Sequence, residues 1–125
     1  MIVGIGLDLV EVPRLARALA NHGERFEQRI YTARERADCD RRADRTQALA
    51  ARFAAKEACL KALGTGWSGG VSFRQVEVVR SDGGRPTLRL DGPAADRAAG
   101  LGVRAFHLTL THEPGIAAAL VILER

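Results

Sequence analysis

The chain opens on alternation. From residue 2 to residue 12, Val3, Ile5, Leu7 and Leu9 fall on one side of an extended strand, and Ile2, Gly4, Gly6, Asp8, Val10 and Val12 on the other. Both sides are apolar or empty, which predicts a strand buried on both faces. Pro13, at a helix start, opens a helix over 13–21. A second short helix is expected through Arg25 and Phe26 to Ile30. Thr32-Ala33-Arg34-Glu35 has the Ser/Thr-x-x-Glu form of a capping box and should start a helix of about two turns. The longest helix is expected over 45–63, closed by Gly64.

The second half reads mostly as strands. Residues 71–80 predict one, Ser81-Asp82-Gly83-Gly84 a hairpin turn, and Arg85 to Leu90 the returning strand. Asp91-Gly92-Pro93 opens an amphipathic helix to about Ala99, ended by Gly100 and Gly102. Residues 104–112 alternate, with Phe106, Leu108, Leu110 and His112 on one face. Glu113-Pro114-Gly115 turns the chain into Ile116 to Leu123, whose wholly apolar run predicts a central strand. The pattern is that of one α+β domain over residues 1–125, a mostly antiparallel sheet packed on a long central helix. There is no internal repeat, low-complexity tract or linker.

Composition narrows the classes. Of 125 residues 46% are hydrophobic and 27% charged, the balance of a water-soluble globular domain. No run of about 18 apolar residues exists to span a membrane. The N-terminus has no basic region and carries Asp8, so it reads as a strand and not as a signal peptide. Cys39 and Cys59 form no Cys-x-x-Cys pair; two reduced thiols in a cytoplasmic protein are expected, with Cys59 a small core residue. The net charge of +4 implies an anionic partner: nucleic acid, a phosphorylated metabolite or an acidic protein. Six scattered aromatic residues argue against a stacking platform for single strands.

The long helix carries the chemistry. Wound at about 100° per residue, Leu49, Phe53, Leu60 and Leu63 make one stripe, and Ala51, Ala54, Ala55, Ala58 and Ala62 the opposite face. A helix apolar on both sides is enclosed, or closely approached by another chain. Arg52, Lys56, Glu57 and Lys61 interrupt it, with Lys56 inside the apolar stripe. One reading makes Glu57 and Lys61 an ordinary helix pair, with Arg52 and Lys56 reaching water. The other makes the surplus of positive charge a site for an anion. Asp8 is the second oddity, an acid in an apolar strand beside the groove left by Gly4 and Gly6. It is either a solvated strand-end acid or a partner for Glu57, and two carboxylates with phosphate oxygens make a magnesium site.

These residues resemble one family. Gly4-Ile5-Gly6-Leu7-Asp8-Leu9-Val10-Glu11 is similar to the first motif of holo-acyl-carrier-protein synthases. Arg52-Phe53-Ala54-Ala55-Lys56-Glu57-Ala58, with Lys61-Ala62-Leu63-Gly64-Thr65-Gly66, resembles their central motif. Gly84-Arg85-Pro86 resembles their Gly-Lys-Pro turn, and His107 to Glu113 their C-terminal segment. The resemblance implies the 4′-phosphopantetheinyl transferase fold and transfer of the phosphopantetheine arm of coenzyme A to a carrier-protein serine, releasing adenosine 3′,5′-bisphosphate. On such arms fatty acids grow.

By similarity, Asp8 and Glu57 hold Mg²⁺ against the diphosphate, and Lys61 stabilises charge on the leaving oxygen. Arg52 and Lys56 add positive charge for the nucleotide phosphates. Gly84, Arg85 and Pro86 flank the adenosine, and Thr111 and His112 the 3′-phosphate. Glu57 or Asp8, through a water on the metal, takes the serine proton. His107 and His22 remain structural or surface residues, and Trp67 packs or lies at an interface. Larger relatives carry two copies of this unit with the site between them, so this chain is expected as a homotrimer with sites between subunits. Arg14 and Arg25, in an arginine-rich region with Arg17 and Arg29, match positions that contact the acidic acyl carrier protein. A nucleic-acid module is the rival from another class, but carboxylates among lysines would repel phosphate without a metal. A degenerate, non-catalytic subunit is the second rival, against which stand Asp8, Glu57 and Lys61.

Overall fold

The structure is a computed structural model, and it describes residues 1–66, 68–80 and 83–125. Trp67 and the Ser81-Asp82 half of the expected hairpin turn lie outside the described residues. In chain order the elements are β1 (Ile2–Glu11), α1 (Val12–Ile30), α2 (Ala33–Asp40), α3 (Arg45–Leu63), a short 3-10 turn (Phe73–Gln75), β2 (Val76–Arg80), β3 (Pro86–Leu90), α4 (Gly92–Gly100), β4 (Ala105–Glu113) and β5 (Ile116–Glu124).

Strands β1, β5 and β4 form an antiparallel sheet in that order, and β2 and β3 a separate antiparallel hairpin. The expected α+β class and the central placement of the apolar 116–123 run both hold. The sheet lies on α3, whose other side is covered by α1, α2 and β2. This is why both faces of α3 are apolar: alanines where the sheet backbone approaches, larger side chains where helices pack.

Gly4 and Gly6 explain the closeness. A methyl group on Gly4 would collide with the Ala62 carbonyl oxygen, and one on Gly6 with that of Ala58. Neither obstacle is a flexible side chain, so the helix and strand could not relax apart without opening the core. Gly6→Ala is expected to cost roughly 3 kcal/mol or more, at or above the upper end of ordinary overpacking. Urea unfolding checks this; a loss below about 1 kcal/mol would mean that the contact yields easily.

Capping follows the sequence closely at two places. At α2 both halves of the box form: Glu35 N donates to Thr32 Oγ1 at 3.2 Å and Thr32 N to Glu35 Oε1 at 2.9 Å. At α3 Asp44 caps the start by accepting from Gln47 N, and Gly64 ends it in the left-handed conformation at φ 76°. The two helices expected over 13–30 are one kinked helix, broken at Gly23 (φ 63°, ψ −150°).

Two expectations are corrected. The strand expected over 71–80 begins only at Val76, because Phe73–Gln75 wind into the 3-10 turn, which side-chain hydrogen bonds brace from within and from either side. Lys56 Nζ donates to the carbonyls of Phe73 and Val76, and Gln75 Nε2 to that of Gly70. Gln75 also caps α4, accepting from Ala94 N at 3.1 Å. The second correction concerns β1. Its Gly4, Gly6 and Asp8 side faces α3, but Ile5, Leu7 and Leu9 are 59–68% exposed on the outer face, with Ile116 of β5 beside them at 45%. Within one chain, β1 is buried on one face only. Among the described residues no helix is long and apolar enough to cross a membrane.

Candidate active site

β1 and α3 run past each other in opposite directions: Gly4 meets Ala62 and Gly6 meets Ala58. Two residues further along, the same face of β1 carries Asp8. Helical winding sets Glu57 and Lys61 about 40° apart, on the flank between the alanine face and the Leu/Phe stripe. The acid of β1 and the charges of α3 therefore meet at the seam between sheet and helix.

Lys61 Nζ donates to Asp8 Oδ1 at 2.9 Å and to the Leu7 carbonyl at 3.0 Å. This replaces the Glu57–Lys61 helix pair that sequence spacing allowed. Glu57 lies beside Asp8 and accepts no hydrogen bond from a described residue. Burial, and then the Asp8 charge, push its pKa above the ordinary carboxylate value, and Lys61 pulls it partly back.

A cleft of about 420 Å³ opens on this group, lined by Asp8, Glu57, Glu11, Arg14, Phe26 and Phe53 among others. A second, of about 530 Å³, shares Glu57, Phe26 and Phe53 and continues to Arg29, Ser72 and Phe73. Its far wall is held by Phe53 and Phe73, whose rings are 5.2 Å apart. Phe26 and Phe53 were not singled out from the sequence as site residues. Phe53 precedes Glu57 by four positions, which puts it on the same helix face, and that spacing was the available signal.

Lys56 and Arg52 were expected at the phosphates, and their geometry corrects this. Winding turns Lys56 about 100° and Arg52 about 140° away from Glu57. Lys56 is wholly buried, and its ammonium is spent on Glu35 Oε1 at 2.6 Å, Val76 O at 2.6 Å and Phe73 O at 3.1 Å. Its ammonium also lies 5.8 Å from the centre of the Tyr31 ring. Burial lowers the Lys56 pKa, and Glu35 opposes that shift. Arg52 is 4% exposed, donates to Ala48 O at 3.4 Å, and acts electrostatically on Tyr31 and Cys39. Neither reaches the cleft. Both thiols are buried, and burial raises Cys39 to about 11 and Cys59 to about 12, which leaves them protonated and inert.

The remaining expected residues are not gathered here by one chain. Gly84, Arg85 and Pro86 sit at the connecting end of the β2–β3 hairpin, where Pro86 pairs with Arg80. Thr111 and His112 pair with Ala118 and Ala117, so they point to opposite faces of the sheet: Thr111 outward with Leu9, His112 inward with Val10. Both are exposed. No hydrogen bond or ion pair among the described residues joins Arg85 or His112 to Asp8 or Glu57. His107 lies at the surface and meets Glu124 at 3.1 Å.

The donor set fits a hard divalent cation. Among the described residues Glu57 and one oxygen of Asp8 have no hydrogen-bond partner, while Lys61 fixes the other. Among the described residues no third ligand side chain joins them. That is the economy of a magnesium site completed by water and substrate oxygens.

With this geometry in view, comparison with known proteins is decisive. Residues 4–118 match the family model of the 4′-phosphopantetheinyl transferase superfamily. The chain belongs to that superfamily. It is 55% identical, over 99% of its length and 94% of the relative's, to the holo-[acyl-carrier-protein] synthase of Methylobacterium radiotolerans. Its fold superimposes with a TM-score of 0.89 on the holo-[acyl-carrier-protein] synthase of Neisseria meningitidis, at 36% identity and full coverage of both chains. A holo-(acyl-carrier-protein) synthase of Bacillus anthracis, solved in complex with coenzyme A (3′,5′-ADP), matches with a TM-score of 0.80 at 37% identity, over 98% of this chain and 96% of that one. This phosphopantetheinyl transferase is thus an enzyme of the holo-acyl-carrier-protein synthase type, and its Asp8–Glu57–Lys61 group stands where β1 meets α3.

Proposed function

We propose that the transferase moves the 4′-phosphopantetheine arm of coenzyme A to a serine of an apo acyl carrier protein in a Mg²⁺-dependent reaction, releasing adenosine 3′,5′-bisphosphate. The observation that carries this reading is the convergence of Asp8 and Glu57 on one cleft, with Lys61 clamped to Asp8. The two carboxylates would hold the cation, which supplies charge neutralisation for the diphosphate. Lys61 has two of its three ammonium hydrogens committed to Asp8 and Leu7 and keeps one for the leaving phosphate oxygen. The serine hydroxyl attacks the phosphorus bearing the arm, and its proton needs an acceptor. Glu57, with its raised pKa and no donor among the described residues, suits that role better than Asp8, whose Oδ1 is taken by Lys61.

The rest of the nucleotide site is supplied, in this reading, by a neighbouring copy. Thr111 shares the outer sheet face with Leu7, Leu9 and Ile116, an apolar surface unusual for a monomer. A homotrimer would cover that face and bring Gly84, Arg85, Pro86, Thr111 and His112 of one subunit to Asp8 and Glu57 of the next. Sedimentation should give three times the chain mass, and Leu7→Arg should give monomers without activity.

Arg14 lines the Glu57 cleft, and Arg25 lines an adjoining one of about 630 Å³ with His22, Phe26 and Arg29. They suit an acidic carrier protein. Arg14→Glu and Arg25→Glu should each raise the carrier KM roughly tenfold while the coenzyme A KM stays within about twofold. A KM unmoved by either change would remove the carrier from this face.

Mass spectrometry of apo carrier protein incubated with enzyme, coenzyme A and Mg²⁺ tests the reaction: one phosphopantetheine should be added per serine, and none without the cation. The pH dependence has a definite sign. The folded pKa of Glu57 is raised, so for the metal-free enzyme its contribution to stability is fully present below about 4.5 and is lost as pH rises through the folded value. A cation reverses this above that value, because it needs the ionised form. Added Mg²⁺ should therefore raise Tm near neutral pH and have no effect near pH 4; equal effects at both would exclude Glu57 as a ligand.

A further inference from the structure

Gly23 is the joint of α1. Its φ of 63° and ψ of −150° fall in a region essentially closed to L side chains. The mirror of that conformation is ordinary extended backbone, so a D-residue adopts it without strain. Crowding does not require the glycine, since a Cβ built there meets nothing within 4 Å.

The two halves of α1 are anchored separately. Before the joint, Leu15 is buried and Val12 N donates to the Gly115 carbonyl at 2.9 Å. After it, Ile30 is buried, Glu27 accepts from Arg45 at 2.6 Å, and Glu24 from Arg36 at 3.1 Å. The backbone at Gly23 therefore sets the direction of one half against the other. The cations divide across it, Arg14 and Arg17 before, Arg25 and Arg29 after. Phe26, three residues beyond, lines both Glu57 clefts and the Arg25 cleft.

We propose that Gly23 is a positioning residue for the carrier protein: its left-handed backbone turns the second half of α1 so that Arg25, Phe26 and Arg29 face the same acidic partner as Arg14. This rests on the carrier-docking reading of α1. An L-residue at the joint is driven towards negative φ and swings the second half, or its anchors, out of register. Asp8, Glu57 and Lys61 belong to β1 and α3, so the chemistry and the coenzyme site stay in place.

The test uses chirality. A synthetic 1–38 segment joined at the native Cys39 to a recombinant 39–125 segment gives the full chain with Gly23→Ala or Gly23→D-Ala. The L variant should raise the carrier KM roughly tenfold, with kcat and the coenzyme A KM within about twofold. The D variant adds the same methyl group and should keep the carrier KM at or below the glycine value, with Tm higher by about 2–5 °C because the unfolded chain is stiffer. Equal damage from both, a wild-type L variant, or an L variant that moves both KM values together would overturn the proposal. Should the L variant not fold, the D variant decides alone, and a carrier KM more than about twofold above the glycine value counts against it. Arg14→Glu and Arg25→Glu separate the two claims. If they leave the carrier KM unchanged, the docking reading fails; if they raise it and Gly23→Ala does not, only the role of Gly23 fails.

Discussion

Glu57→Gln is expected to reduce phosphopantetheine transfer by about three orders of magnitude, about 4 kcal/mol in activation free energy, with the fold unchanged. The substitution keeps size and shape and removes one charge. It also removes the carboxylate that burial and Asp8 hold at a raised pKa, which in the proposed reading is both a cation ligand and the proton acceptor. Stability should hold or rise slightly, because an ionised acid beside Asp8 is replaced by a neutral amide. That combination, lost rate without lost fold, distinguishes a functional acid from a structural one. Retention of more than about a tenth of the wild-type kcat would remove Glu57 from the reaction.

Lys56→Met is expected to do the reverse: a loss of about 3–5 kcal/mol in stability, with any folded fraction retaining chemistry. The ammonium is fully buried and bridges α3 to Glu35 of α2 and to the backbone on both sides of the 3-10 turn. Without it Glu35 keeps two backbone donors, Thr32 N at 2.9 Å and Val78 N at 2.8 Å, but loses the ammonium that neutralises it. The carbonyls of Phe73 and Val76 lose a donor as well. Lys56→Met combined with Glu35→Gln should recover part of the loss, since the orphaned charge is then gone. Urea unfolding of the two variants measures both effects, and a single-variant loss below about 1 kcal/mol would show that water or a rearranged side chain replaces the ammonium.

Much of this was legible in the residues. The limits of α3 follow from Asp44 and Gly64, the start of α2 from Thr32 and Glu35, and the central place of β5 from its unbroken apolar run. The convergence of Asp8 with Glu57 was legible because Gly4 and Gly6 remove side chains on the one face where β1 can touch a helix. The resemblance put Lys56 and Arg52 at the phosphates, but helical angle turns both away from Glu57 into the interior. Arg52, Lys56, Glu57 and Lys61 all share one motif, but only Glu57 and Lys61, near the alanine edge, can reach β1. The shortened β2 escaped because Phe73–Gln75 close into a 3-10 turn whose Phe73 carbonyl is held by Lys56, and strand periodicity does not register such competition. The exposed outer face of β1 reflects a different limit: apolar alternation says that a face seeks cover, not whether the cover comes from the same chain.

The direct test of the two-carboxylate site is diffraction at the manganese edge from crystals grown with Mn²⁺ and adenosine 3′,5′-bisphosphate. One anomalous peak should lie about 2.0–2.3 Å from an oxygen of Asp8 and an oxygen of Glu57 of the same chain. A peak held by only one of these carboxylates, or by other residues, would contradict the site.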